Sequence, residues 1–185
     1  MEDGVAEPEL EDHLRQVLVR GLQPVRVELV EPDPAWPDRY ERYAATLRDV
    51  LGGRLLLIEH IGSTSVHGLA AKPVIDIVAG LDDPDDEPAY LPDLEAGGWD
   101  LRVRESGHRC LRGGDPELPV NLHCYRPDDP EVDRYLRFRE RLRCDDAARE
   151  HYANAKRALA GREWPDMNVY AEAKSSVIAE ILGHS

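Results

Sequence analysis

The chain has 185 residues, 42% of them hydrophobic, with 23 Lys and Arg against 37 Asp and Glu and a net charge of −14. That length suits one domain with a real core, and that charge argues against general nucleic-acid binding, because a polyanion would be repelled over most of the surface. No apolar run nears the roughly 18 residues of a membrane span, and the acidic start "MEDGVAEPELEDHLRQ" is no signal peptide, so the expectation is a cytoplasmic protein without a membrane partner.

Residues 1–23 read as an N-terminal extension, with a short helix over 7–20 that puts Leu10, Leu14 and Val17 on one face. Residues 24–185 read as the domain proper: a mixed α/β core at 24–127 and a helical layer at 128–185. "VRVELVEP" (25–32) alternates apolar and polar residues, as a half-buried strand does. A helix starts near Pro37, carries Tyr40, Tyr43, Ala44, Leu47, Val50 and Leu51 at helical spacing, and stops at Gly52 and Gly53. "RLLLIEHI" (54–61) and "KPVIDIVAGL" (72–81) are apolar enough for strands covered on both faces. A helix over 87–96 follows, then a strand pair at 99–105 and 108–112. The strand at 118–127 sets Asn121, His123 and Tyr125 on one side and Val120, Leu122 and Cys124 on the other. The last third carries only helical stripes, such as Ala148, Tyr152, Ala155, Leu159 and Tyr170, Ala173, Val177, Ile181. The order predicts an α+β fold, a small mixed β-sheet with a C-terminal helical layer.

Cys110, Cys124 and Cys144 form no CxxC, which argues against a disulfide framework and a thiolate zinc site. The basic residues are lopsided, twenty Arg to three Lys, so Lys72, Lys156 and Lys174 stand out.

The segment "IEHIGSTSVHGLAAKPVIDIVAGL" (58–81) carries the chemistry. It is no P-loop, because Leu69 stands where that motif has its lysine. Gly62 follows a buried strand, and Ser63, Thr64 and Ser65 then offer hydroxyls and backbone amides that can surround phosphate oxygens. Asp76 lies mid-strand between Ile75 and Ile77, where a carboxylate is costly unless a cation or donors satisfy it. Magnesium takes carboxylate and phosphate oxygens together, and Lys72 could neutralise phosphate as a point charge. The plainer reading remains open: an Asp paired with one of many arginines, beside a turn that only connects two strands.

"EHIGSTSVHGLAAKPVIDI" closely resembles the signature of the GrpB-like family. The resemblance extends through "VELVEPDPAW", "NLHCYRP", "LRFRERLR", "YANAKRALA" and "YAEAKSSVIAEIL", covering about Val25 to Leu182. It implies a sheet of the polymerase-beta-type nucleotidyltransferase fold, in which a Gly-Ser turn holds the triphosphate and carboxylates on the next strand hold the metal. Carried over, Gly62 and Ser63 match the turn and Asp76 matches the first metal carboxylate. The family is also known fused to dephospho-CoA kinase, which hints at coenzyme A metabolism. The superfamily's second carboxylate, two residues on, is Val78 here, and that weakens a two-metal site. His123, matching the family's Leu-His pair, could complete a one-metal site with Asp76, with or without His60, or act as a general base; it could also be an ordinary sheet histidine. His67, His108 and His151 receive no role. Lys156 and Lys174 match family lysines and could reach an anionic ligand or simply be solvated.

The resulting expectation is a nucleotidyltransferase-like protein. It would hold a nucleoside triphosphate through Gly62, Ser63, Thr64, Ser65 and Lys72, and Mg²⁺ or Mn²⁺ through Asp76 and His123. It would then transfer a nucleotidyl or phosphoryl group to a small acceptor. The alternative is a non-catalytic module that binds nucleotide or coenzyme A and assists a partner.

Overall fold

The computed structural model describes residues 7–183. In chain order the main elements are α1 (Glu7–Val17), β1 (Val25–Arg26), α2 (Trp36–Leu51), β2 (Leu55–Ile61), β3 (Ile75–Leu81) and α3 (Leu91–Ala96). They continue with β4 (Asp100–Glu105), β5 (His108–Asp115), β6 (Leu118–Tyr125), α4 (Pro130–Cys144), α5 (Asp146–Leu159), β7 (Glu163–Trp164), α6 (Met167–Glu172) and α7 (Ser175–Gly183). The central sheet is five-stranded with order β2-β3-β6-β5-β4. It is mixed: β3 and β6 run parallel, and the other pairs are antiparallel. The α+β expectation holds in this form.

Strand alternation decides which face each residue takes. Ile75, Ile77, Ala79, Val120, Leu122 and Cys124 are fully buried, in one cluster with Leu47 and Leu51 of α2 and Leu94 of α3. Each of the Ile, Val and Leu side chains among them contributes roughly 1.5–3 kcal/mol by leaving water. The opposite face carries Asp76 and Asn121 as cross-strand partners, then Val78 and His123. α4 covers one end of that face, where Val132, Tyr135 and Leu136 pack on Ile61, Val78 and Tyr125. The helical layer has its own core of Leu142, Tyr152, Ala153, Val177 and Ile181, which also takes in Val66 and Leu69 from the segment after β2. Asp145 makes the corner between α4 and α5: its carboxylate accepts from the amides of Ala147 and Ala148, satisfying two orphan donors of α5.

Several elements differ from their sequence reading. The first helix ends at Val17, because Leu18 bridges Val103 and the Val19 amide donates to the Arg102 carbonyl. This segment packs on the rest: Leu14 is buried with Val27, Trp164 and Tyr170. The strand expected at 25–32 shrinks to Val25–Arg26 because its partner β7 has only two residues, with a single further bridge from Val30 to Ala71. β3 begins at Ile75 rather than residue 72, since Pro73 offers no amide to a ladder. The helix expected over 87–96 is a 3₁₀ turn at Glu87–Ala89 followed by α3. Among the described residues no helix is long and apolar enough to cross a membrane.

Candidate functional site

β2 ends at Ile61, which pairs with Asp76 of β3, so the turn that leaves β2 starts beside that carboxylate. Gly62 opens the turn at φ 69°, a backbone conformation side chains rarely adopt. A Cβ there would collide with the Asp76 carboxylate. Glycine is therefore required twice, by conformation and by contact, and the turn's backbone lies directly against the acid.

The three hydroxyls of the turn divide. Ser63 Oγ accepts from Lys156 Nζ at 3.0 Å. Thr64 Oγ1 donates to the Val74 carbonyl at 3.1 Å and lies 3.0 Å from His60 Nε2. Ser65 Oγ donates to the Gly62 carbonyl at 2.6 Å, and the Ser65 amide donates to the same carbonyl. Thr64 and Ser65 thus give their hydroxyls to the turn itself, and only Ser63 presents one to a charged partner. From outside, Arg139 of α4 donates to the His60 carbonyl and Arg143 to the Ser65 carbonyl, each at 2.8 Å.

Asp76 accepts from Asn121 Nδ2 at 2.8 Å. Among the described residues it forms no ion pair, so it is not capped by an arginine. Around it opens a cavity of about 770 Å³, whose lining includes Ser63, Lys72, Asp76, His123, Lys156 and Lys174. All three lysines of the chain meet here, from the loop before β3, from α5 and from the turn between α6 and α7. Lys72 and Lys174 lie over the Tyr170 ring, with Nζ 5.3 and 4.2 Å from its centroid, and Lys156 lies 5.0 Å from that of Tyr152. Burial lowers the basicity of all three, and mutual repulsion adds to it for Lys156 and Lys174: Lys156 falls to about 7 and Lys174 to about 8.

The histidines separate. His60 pairs with Ile77, so it lies on the closed face, stacked on Tyr40 at 4.7 Å and driven down to about 4 by burial. It cannot share an ion with Asp76, which overturns that expectation; parity along β2 is the reason. His123 is on the same face as Asp76 and lines the cavity. Its Nδ1 lies 3.3 Å from His108 Nε2, and His108 in turn stacks on Tyr125 at 4.3 Å. Burial, with His123 and Arg109 nearby, holds His108 down to about 3. Burial also opposes charge on His123, yet the adjacent Cys110, Asp76 and Glu131 outweigh it and raise His123 to about 9.

The donor set suits one hard cation. Asp76 offers a carboxylate at the mouth of the Gly62–Ser65 turn, which fits magnesium's habit of taking one or two carboxylates with further oxygens. A second ion lacks a ligand, because Val78 is fully buried against Ile61, Tyr125 and Val132. Among the described residues no three His, Cys, Asp or Glu side chains converge as a metal cluster. Sequence reading missed Tyr152, Tyr170, His108 and the bond from Asn121 to Asp76, all of which depend on register or on helix docking.

A GrpB protein family model matches residues 26–184. A UPF0157 protein of Halalkalibacterium halodurans is 44% identical over 180 residues, which is 95% of this chain and 91% of that one. A dephospho-CoA kinase of Mycolicibacterium paratuberculosis is 33% identical over 182 residues, 84% of this chain but only 45% of the kinase. Among solved structures, the conserved protein GrpB from Enterococcus faecalis superposes with a TM-score of 0.71 at 31% identity, over 85% of this chain and 98% of that one. The structure of the GLD-2/RNP-8 complex matches at a TM-score of 0.52 and 15% identity, over 83% of this chain and 60% of that one. That last likeness concerns the fold alone.

Proposed function

Because the chain belongs to the GrpB family, we propose that it is a cytoplasmic nucleotidyltransferase-type protein that binds a nucleoside triphosphate with Mg²⁺ or Mn²⁺ and passes a nucleotidyl or phosphoryl group to a small acceptor. The observation that carries this reading is the contact between the Gly62 backbone and the Asp76 carboxylate. It brings the turn that would hold phosphate and the acid that would hold the ion into one hollow.

Each residue then has a task. The Ser63 hydroxyl and the free amides at the start of the turn hold phosphate oxygens, and Lys72 offsets their charge. Asp76, oriented by Asn121, holds the ion, which when bound polarises the phosphoryl oxygens. His123, raised to about 9 in the empty protein, takes the acceptor's proton or lends a ligand to the same ion only after giving up the proton it holds there. Positioning and electrostatics supply most of the rate in such transfers, and the chain's part is to fix these groups before the substrate arrives. Thermal melting with ATP, CTP, GTP and coenzyme A, each with and without Mg²⁺, tests the reading. A metal-dependent rise with one triphosphate, lost in Asp76→Ala, is expected. A protein indifferent to all triphosphates sinks it.

A second reading, a non-catalytic nucleotide- or coenzyme A-binding module, draws support from the buried Val78 and from the likeness to part of a dephospho-CoA kinase. It expects a metal-independent rise with coenzyme A or a precursor and no turnover.

A further inference from the structure

The three lysines of the cavity share an unusual predicament. Lys156 is 2% exposed and the other two are half-buried. Among the described residues none of them has an ion-paired carboxylate. Lys156 instead contacts the Ser63 hydroxyl and the Ala70 carbonyl, and Lys72 contacts the Met167 sulfur. Asp76 is the acid whose field acts on Lys72 and Lys174. Buried cations are ordinarily paired. Of the other acids lining the cavity, Glu131 pairs with Arg134, Asp166 accepts from the Gln23 and Asn168 amides and Glu172 accepts from the Ser175 hydroxyl, so three lysines around Asp76 leave a local excess of positive charge, inside a chain whose net charge is −14. Among the described residues the buried Tyr170 Oη, on the ring beneath Lys72 and Lys174, also has no hydrogen-bond partner.

Each observation calls for an anion, and together they call for an elongated one. The ammonium groups come from three separate elements, so one compact carboxylate would leave part of the charge unmet. The Ser63 hydroxyl at the end of the Lys156 side chain adds a neutral donor of the kind phosphate oxygens accept. A terminal phosphate carries about two negative charges near neutrality, so a short polyphosphate chain matches the excess. The other end of the same sheet face explains why the excess exists. Where a second carboxylate would hold a second ion, Val78 is packed in hydrocarbon.

We propose that Lys72, Lys156 and Lys174 form the seat for a polyphosphate tail and supply, as fixed charges, what a second metal ion would otherwise supply. The inference rests on the nucleotide reading above for the identity of the whole ligand, but the seat itself needs neither nucleoside nor metal.

The probe is inorganic tripolyphosphate, with inorganic phosphate as the short control, titrated calorimetrically into the full chain in EDTA. One-to-one binding of tripolyphosphate is expected, at least tenfold tighter than phosphate. Lys156→Gln and Lys174→Gln should each weaken it at least tenfold, and Asp76→Asn should tighten it by removing the opposing charge. Removing a buried unpaired charge should also raise the melting temperature of the empty Lys156→Gln protein, which separates a binding role from a structural one. ATP that binds only with Mg²⁺ and equally well in the lysine variants overturns the seat and leaves the nucleotide reading standing. Tripolyphosphate binding without any nucleotide binding keeps the seat and overturns the nucleotide reading. Silence from both ligands overturns both.

Discussion

One face of the sheet presents Ile75, Ile77, Ala79, Val120 and Leu122, all without measurable exposure, to the underside of α2 and α3. The other presents Asp76 and Asn121 to a cavity of about 770 Å³ crowded with lysines. The same strands make both faces, and residues alternate between them. The closed face gains stability by removing hydrocarbon from water. The open face gives some of it back, because like charges held near one another out of water disfavour the folded chain. A protein tolerates such a region when a ligand later satisfies it. The boundary runs within the open face itself: Asp76 is at the cavity, while Val78, on the same side of the same strand, lies under α4 in a packed corner.

The contrast can be attacked in order of expected effect. Val78→Asp should be the most damaging, costing about 3–5 kcal/mol because it leaves an uncompensated charge in hydrocarbon. Urea denaturation reads the loss. A folded variant that instead gains Mg²⁺ affinity would move the boundary and show that residue 78 reaches the cavity. Leu122→Ala, on the closed face, should cost about 2–5 kcal/mol yet leave nucleotide affinity of the folded fraction unchanged. Gly62→Ala should cost about 1–3 kcal/mol in backbone strain, and its added methyl should displace the Asp76 carboxylate. Calorimetry should then show metal-dependent nucleotide binding lost well before the fold is.

The smallest effect is a pH dependence. Lys156 falls to about 7 and Lys174 to about 8 in the folded protein, against roughly 10.4 in an unfolded chain. Between those values the unfolded chain binds more protons at the lysines, so their contribution to the stability of the empty protein rises with pH from about 7 toward 10, while His123, raised to about 9, gives up its own contribution over part of that interval. Melting curves at pH 7 and pH 9 read it, and bound tripolyphosphate should flatten the rise. The rise should be smaller in Lys156→Gln; a pH profile identical in that variant would mean that Lys156 is well paired in the empty protein.

Much of this was legible in the residues alone. The positions of β2 and β3 followed from their continuous apolar runs, and those of β6 and the C-terminal helices from periodicity, although the single stripe over 170–181 is divided between α6 and α7. Gly62, Ser63 and Asp76 could be singled out because a glycine-serine turn and a mid-strand carboxylate are both costly without a purpose. Lys156 and Lys174 carried a fainter signal, as rare lysines in an arginine-rich chain. Their convergence on Lys72 was not readable, since it depends on how α5, α6 and α7 dock, which no spacing within one element records. His60 was misassigned for a related reason: its face is fixed by the pairing of Ile61 with Asp76, and a shift of one residue in register reverses it. The hydroxyls of Thr64 and Ser65 looked available because a turn's internal bonds are invisible until its backbone is known.

Tyr170 carries Lys72 and Lys174 over its ring and meets the Trp164 indole edge-on, with ring centroids 5.6 Å apart. The other two tryptophans, Trp36 and Trp99, belong to the cluster on the far side of the sheet. An indole's emission responds to the electric field around it, so Trp164 is a built-in optical reporter. Filling the cavity should change its colour or brightness while the other two stay constant, giving a label-free signal from the unaltered protein.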